Sequence, residues 1–93
     1  MPAAPQAASN RYVFRCSFFS DPHIYYVKAD DEIVGVAPSG QQVLVGRRLP
    51  PSLPNAAWMY HRFDNGADYA VDANGRIWAA YVQNPIGQAS PLQ

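Results

Sequence analysis

The chain has 93 residues, 48% of them apolar and 15% charged, and its seven basic and seven acidic residues cancel to a formal net charge of zero. This length excludes a barrel enzyme, a dinucleotide-binding fold and any two-domain architecture. A chain with no net charge has no overall field to attract nucleic acid or an anionic membrane, so we expect neither as a partner.

Residues 1–10 read MPAAPQAASN, and this Ala/Pro-rich composition predicts a disordered head without the features of a secretory signal. Cys16 is the single cysteine, which excludes an intramolecular disulfide and favours a reducing compartment. The use of one lysine, Lys28, against six arginines is typical of a GC-rich bacterial genome. We therefore expect a cytoplasmic bacterial protein.

Turn-forming residues recur about every ten positions between residues 20 and 76, and the segments between them are rich in Tyr, Phe, Val, Ile and Trp. This spacing predicts an all-β domain over 11–86, a mostly antiparallel meander of six to seven short strands in a small sandwich or open barrel. A flexible tail is expected over 87–93, and a short helix near 54–61 remains an alternative. The predicted strands are 12–19, 24–29, 32–37, 42–48, 58–64, 67–72 and 76–82.

Two Asn-Gly pairs, at 65–66 and 74–75, separate the last three predicted strands. Two-residue hairpin loops need positive φ at both central positions and strongly prefer this dipeptide. The pairs therefore predict two tight hairpins.

The two-residue period of a strand divides its side chains between two faces. On this basis Cys16 lies with Phe14 and Phe18 on a core face. The segments 24–27 and 43–45 are apolar on both faces, more than one small sheet can bury. A second copy of the chain is the simplest cover, which predicts a homodimer.

No complete catalytic set is evident, so we expect no enzymatic activity. Cys16 has His23 and His61 as candidate bases, but its core position predicts an inert thiol. The two histidines lack the close ligand spacing of a metal site, and the glycines form no phosphate-binding loop, so neither a metal nor a cofactor is expected.

The segment RLPPSLP at 48–54 fits the pattern that polyproline-reading domains recognise. The alternative is a rigid connector whose prolines keep the loop extended. The sequence leaves both open.

The surplus of aromatic residues favours non-covalent binding, because half-exposed Tyr and Trp dominate binding hot spots. We expect a small protein-interaction or regulatory domain that binds a protein partner or a second copy of itself. The alternative is a small-ligand-binding or enzymatic domain with a pocket near His61 and Asp64. The predicted binding surface comprises Trp58, Tyr60, Arg62, Arg76, Trp78 and Tyr81.

Overall fold

A computed structural model describes residues 11–79 and 84–92, which form eight antiparallel strands. Each strand pairs with the next along the chain, and the first also pairs with the last, so the sheet closes into a small barrel. The all-β antiparallel meander predicted from the sequence is confirmed. The strands are β1 (Tyr12–Phe18), β2 (Ile24–Lys28), β3 (Glu32–Val36), β4 (Gln42–Leu49), β5 (Trp58–Arg62), β6 (Asp68–Val71), β7 (Arg76–Ala79) and β8 (Gly87–Pro91).

The seven predicted strands are all present, but the helix considered near 54–61 is not. Trp58 starts β5, in which it pairs with Val71 while Tyr60 pairs with Tyr69. The pairing of β5 with β6 therefore overrides the turn-forming tendency of the preceding segment. The described residues contain no helix with the length and apolar character that crossing a bilayer requires.

The eighth strand occupies most of the segment predicted as a flexible tail, and that prediction is wrong for Gly87–Pro91. Within this strand, Ala89 pairs with Cys16 of β1 and Gly87 pairs with Ile77 of β7. A Cβ atom at Gly87 would collide with the Ser17 carbonyl oxygen, so a small residue is required for close approach. The predicted head at 1–10 lies outside the described residues.

Aromatic rings fill the barrel. Phe18, Tyr25, Tyr60 and Tyr69 form a cluster with ring centroids between 5.3 and 6.5 Å apart. Eight strands enclose an interior just wide enough for side chains, and edge-to-face rings suit such a space. The side chains with the least exposure are Tyr60, Ile33, Ile77, Val27, Val71 and Cys16.

Glycines at the two Asn-Gly turns have the left-handed backbone that the sequence predicts, with φ of 67° at Gly66 and 82° at Gly75. The two asparagines do not have positive φ, so the prediction of two-residue loops is wrong. Asp72 explains the difference at the second turn, because its Oδ1 accepts bonds from the Asn74 and Arg76 amides. This stabilises a three-residue loop that ends in a left-handed glycine.

The two turn glycines give a matched test of barrel closure. Gly66→Ala should lower the free energy of unfolding by about 1 kcal/mol, the cost of a left-handed alanine. Gly75→Ala should lower it by about 2 kcal/mol or more, because its Cβ would also collide with the Ala89 carbonyl oxygen of β8. Denaturant unfolding measures both, and equal losses would contradict the packing of β8 against this turn.

Candidate functional site

An arginine lies at each end of the barrel, over aromatic rings. The Arg62 guanidinium carbon is 5.5 Å from the Tyr25 ring centroid and 5.8 Å from that of Phe18. At the other end, Arg48 lies 5.5 and 5.7 Å from the rings of Phe14 and Trp58. Each guanidinium thus covers the apolar core while keeping a charged edge toward solvent.

The end covered by Arg62 opens into a cavity of about 430 Å³, called here the mouth cavity. This volume lies within the range of small-molecule sites. The lining of the cavity is divided here into a polar wall and a mainly apolar wall. The polar wall carries Asp21, His23, Tyr25, Arg62 and Asp64, and the other wall carries Gly35, Ala37, Gln41, Val43 and Val45.

Asp21 organises one half of the polar wall. Its Oδ2 accepts a 2.6 Å hydrogen bond from the Tyr25 hydroxyl, and its Oδ1 lies 2.9 Å from the His23 amide nitrogen and 3.0 Å from Nδ1 of that ring. Burial raises the pKa of Asp21, but the bonds from Tyr25 and His23 outweigh it, so the net pKa is lowered. Burial and the same carboxylate raise the pKa of Tyr25 to about 12. At neutral pH the pair is a carboxylate and a neutral phenol.

Asp64 organises the other half by pairing with Arg62. Its Oδ1 accepts from Arg62 Nε at 3.0 Å, and its Oδ2 accepts from the Nη2 group. The hydrogen bond from Arg62 lowers the pKa of Asp64. Burial lowers the pKa of Arg62, but the bond to Asp64 outweighs it and the net pKa is raised. Both groups therefore remain charged across the physiological range.

Two groups below the polar wall take no part in it. Cys16 is fully buried, and burial raises its pKa to about 12, which agrees with the inert thiol expected from its face. The Tyr60 hydroxyl is also buried and has no hydrogen-bond partner among the described residues. The described lining of the mouth cavity contains no serine, threonine or cysteine.

The predicted binding surface does not exist as one face. Trp58 and Tyr60 are 9% and 0% exposed and belong to the core, so their assignment to the surface is wrong. Arg62 lies at the mouth cavity, while Arg76 and Trp78 lie on β7, away from it. Tyr81, the sixth predicted member, lies outside the described residues.

The alternative prediction named a pocket near His61 and Asp64, and the structure does not bring these two residues together in one cavity. Asp64 lines the mouth cavity, but His61 pairs through Nδ1 with Asp68 Oδ1 at 2.6 Å and does not line that cavity. Within 11–79 and 84–92, no three His, Cys, Asp or Glu side chains converge as metal ligands.

The proline segment at 48–54 is a connector in this fold. Its arginine, Arg48, pairs with Asp31 through Nε at 3.0 Å and Nη2 at 2.9 Å, besides lying over the core rings. That guanidinium is not free to set the direction of a polyproline ligand. Leu53 and Pro54 instead line an apolar groove with Trp78, whose indole N–H donates to Asp72 at 3.0 Å.

Sequence reasoning missed the mouth cavity, although two signals indicate it. Gly35 interrupts an apolar strand, and glycine within a strand marks a close approach. A Cβ atom there would lie 3.0 Å from the Tyr25 ring, so Gly35 makes room for this ring at the cavity. The second signal is Asp21 two residues before His23, a spacing that lets the carboxylate bind the later amide.

No model of a known protein family matches the chain, and neither the curated proteins nor the solved structures contain a significant match.

The hydroxyls of Tyr25 and Tyr60 belong to the same ring cluster but differ in hydrogen bonding, which provides a test of the polar wall. Tyr25→Phe should lower the free energy of unfolding by about 1–2 kcal/mol, because Asp21 loses a hydrogen bond to its charged carboxylate. Tyr60→Phe should leave it within about 0.5 kcal/mol or raise it, because the buried hydroxyl has no bond to lose among the described residues. Denaturant unfolding of both variants distinguishes them, and a larger loss for Tyr60→Phe would contradict the described hydrogen bonding.

Proposed function

We propose that this protein is a small-ligand-binding domain whose site is the mouth cavity. The observation that carries the proposal is a concave site that joins fixed polar groups to an apolar wall. Ligand sites in proteins combine these two features, and the mouths of small barrels are among their usual places.

The fixed geometry of the polar wall supports binding. Asp21 and Asp64 are each held by at least two hydrogen bonds from neighbouring groups, so little side-chain order is lost when a ligand arrives. Below the mouth the interior is filled by aromatic rings, which limits a ligand to the open end. This favours a compact ligand over a long chain threaded through the barrel.

A mixed set of small charged and neutral compounds, screened by two-dimensional NMR on the labelled chain, tests the proposal. At least one compound should shift the amides of Gly35, Gln41 and Val43 in a saturable way. Val43→Trp should abolish these shifts, because Val43 lines the cavity and is already 52% exposed, so the added ring fills the site rather than the core. Leu44→Trp is the matched control, since Leu44 lies next in the strand and is absent from the lining.

Two results would contradict the proposal: no compound in the set shifts the mouth amides, or Val43→Trp leaves the shifts unchanged. The second result would place the compound elsewhere on the barrel.

A second candidate function, self-association, is supported by the outer face of β2–β4. Neighbouring strands pair Ile24 with Val36, and Tyr26 with Val34, which also pairs with Leu44. These five side chains thus form a continuous apolar patch on the outside of the barrel, with Leu44 46% exposed. Contiguous exposed apolar surface of this kind marks interaction sites, and a second copy of the chain would supply an apolar partner.

Light scattering over a hundredfold range of concentration tests this candidate. The chain should have the mass of a dimer, and Leu44→Lys should reduce it to that of a monomer by placing a charge in the patch. Leu53→Lys is the control, since Leu53 is 49% exposed but lies in the proline segment. A monomer at all concentrations would rule out self-association through this face.

A further inference from the structure

The mouth cavity contains more carboxylates than guanidinium groups. Its wall holds the carboxylates of Asp21 and Asp64 and the one guanidinium of Arg62. Hydrogen bonds keep the pKa values of both carboxylates below their ordinary value. The two carboxylates are therefore ionised at neutral pH and outnumber the one guanidinium.

Of the two carboxylates, Asp21 is the one that is not paired with Arg62. Asp64 engages the guanidinium of Arg62 through two N–H groups, and aromatic rings lie beneath it. A carboxylate has about four lone-pair positions. The groups around Asp21 use two positions on Oδ1 and one on Oδ2, where Tyr25 donates. One position on Oδ2 is left for a further donor.

The surroundings of this position suit a cation that carries an apolar group. The Tyr25 hydroxyl holds this carboxylate in place at the polar wall, where an ammonium group can donate to the free position. The apolar wall adds the methyl groups of Ala37, Val43 and Val45. A ligand with a charged head and a short apolar body matches both walls.

We propose that the mouth cavity binds a small organic cation, a primary ammonium group attached to an apolar body, with the ammonium on Asp21 and the body against Val43 and Val45. This inference rests on the proposed function, because it names the ligand class of the same cavity. An anion would have to displace Asp64 from Arg62 and then lie near Asp21. The like charge of that carboxylate disfavours such binding.

Three probes of similar shape and different charge test the inference: 2-phenylethylammonium, 2-phenylethanol and 3-phenylpropanoate. Each is titrated into the labelled full chain at constant ionic strength, with the amides of Gly35, Gln41 and Val43 as the readout. The ammonium probe should bind at least tenfold more tightly than the other two. Added salt should weaken the binding of the ammonium probe, because salt screens the attraction between partly exposed charges.

Asp21→Asn should weaken the ammonium probe at least fivefold, because it removes the charge and keeps an oxygen that accepts the turn hydrogen bond from the His23 amide. Asp68→Asn is the matched control. It removes an exposed carboxylate that pairs with His61 away from the cavity, and binding should not change.

If the alcohol or the carboxylate shifts the mouth amides as strongly as the ammonium, or if Asp21→Asn leaves the ammonium affinity unchanged, the inference is wrong and the mouth remains a ligand site of another class. If none of the three probes shifts these amides, the inference is also wrong. The broader compound screen then decides separately whether the mouth binds any ligand.

Discussion

The pairing of β1 with β8 closes the sheet, and the contents of the interior follow from this closure. An eight-stranded barrel has space inside for side chains and little more. Large rings from β1, β2, β5 and β6 take up that space, while glycine or alanine stands where backbones or rings approach. Gly46 shows this limit, because a Cβ atom there would meet the Tyr60 ring and the His61 carbonyl oxygen.

At the two ends of the barrel, the outermost aromatic rings would otherwise face water. One arginine covers the rings at each end, and each arginine pairs with an aspartate from a turn: Arg48 with Asp31, and Arg62 with Asp64. Such pairs add little stability where they are exposed. Their effect is to fix a flat cation over the rings, and at the Arg62 end this leaves the polar wall of the mouth cavity beside an apolar one.

The strands could be predicted because their signals are local. Alternating apolar residues and turn formers such as Asn74-Gly75 place seven of them to within a few residues. β8 gave no such signal, since its inward positions carry only Gly87 and Ala89. The prediction of the binding surface was wrong for a related reason. The two-residue period of a strand shows that Trp58 and Tyr60 share a face, but only closure of the sheet determines that this face points inward. The mouth cavity joins residues from β2, β3, β4, β5 and the turns beside them, and such proximity is not visible in a sequence.

Cross-strand contacts between β1 and β8 are the most direct measurement of this closure. NMR spectra of the full chain should show backbone nuclear Overhauser effects between Cys16 and Ala89, and the Ala89 amide, which donates to the Gly75 carbonyl oxygen, should exchange slowly with solvent. Absence of these contacts, together with fast exchange throughout 87–91, would mean that the sheet is open. The filled interior, the arginine-covered ends and the mouth cavity would then all have to be abandoned.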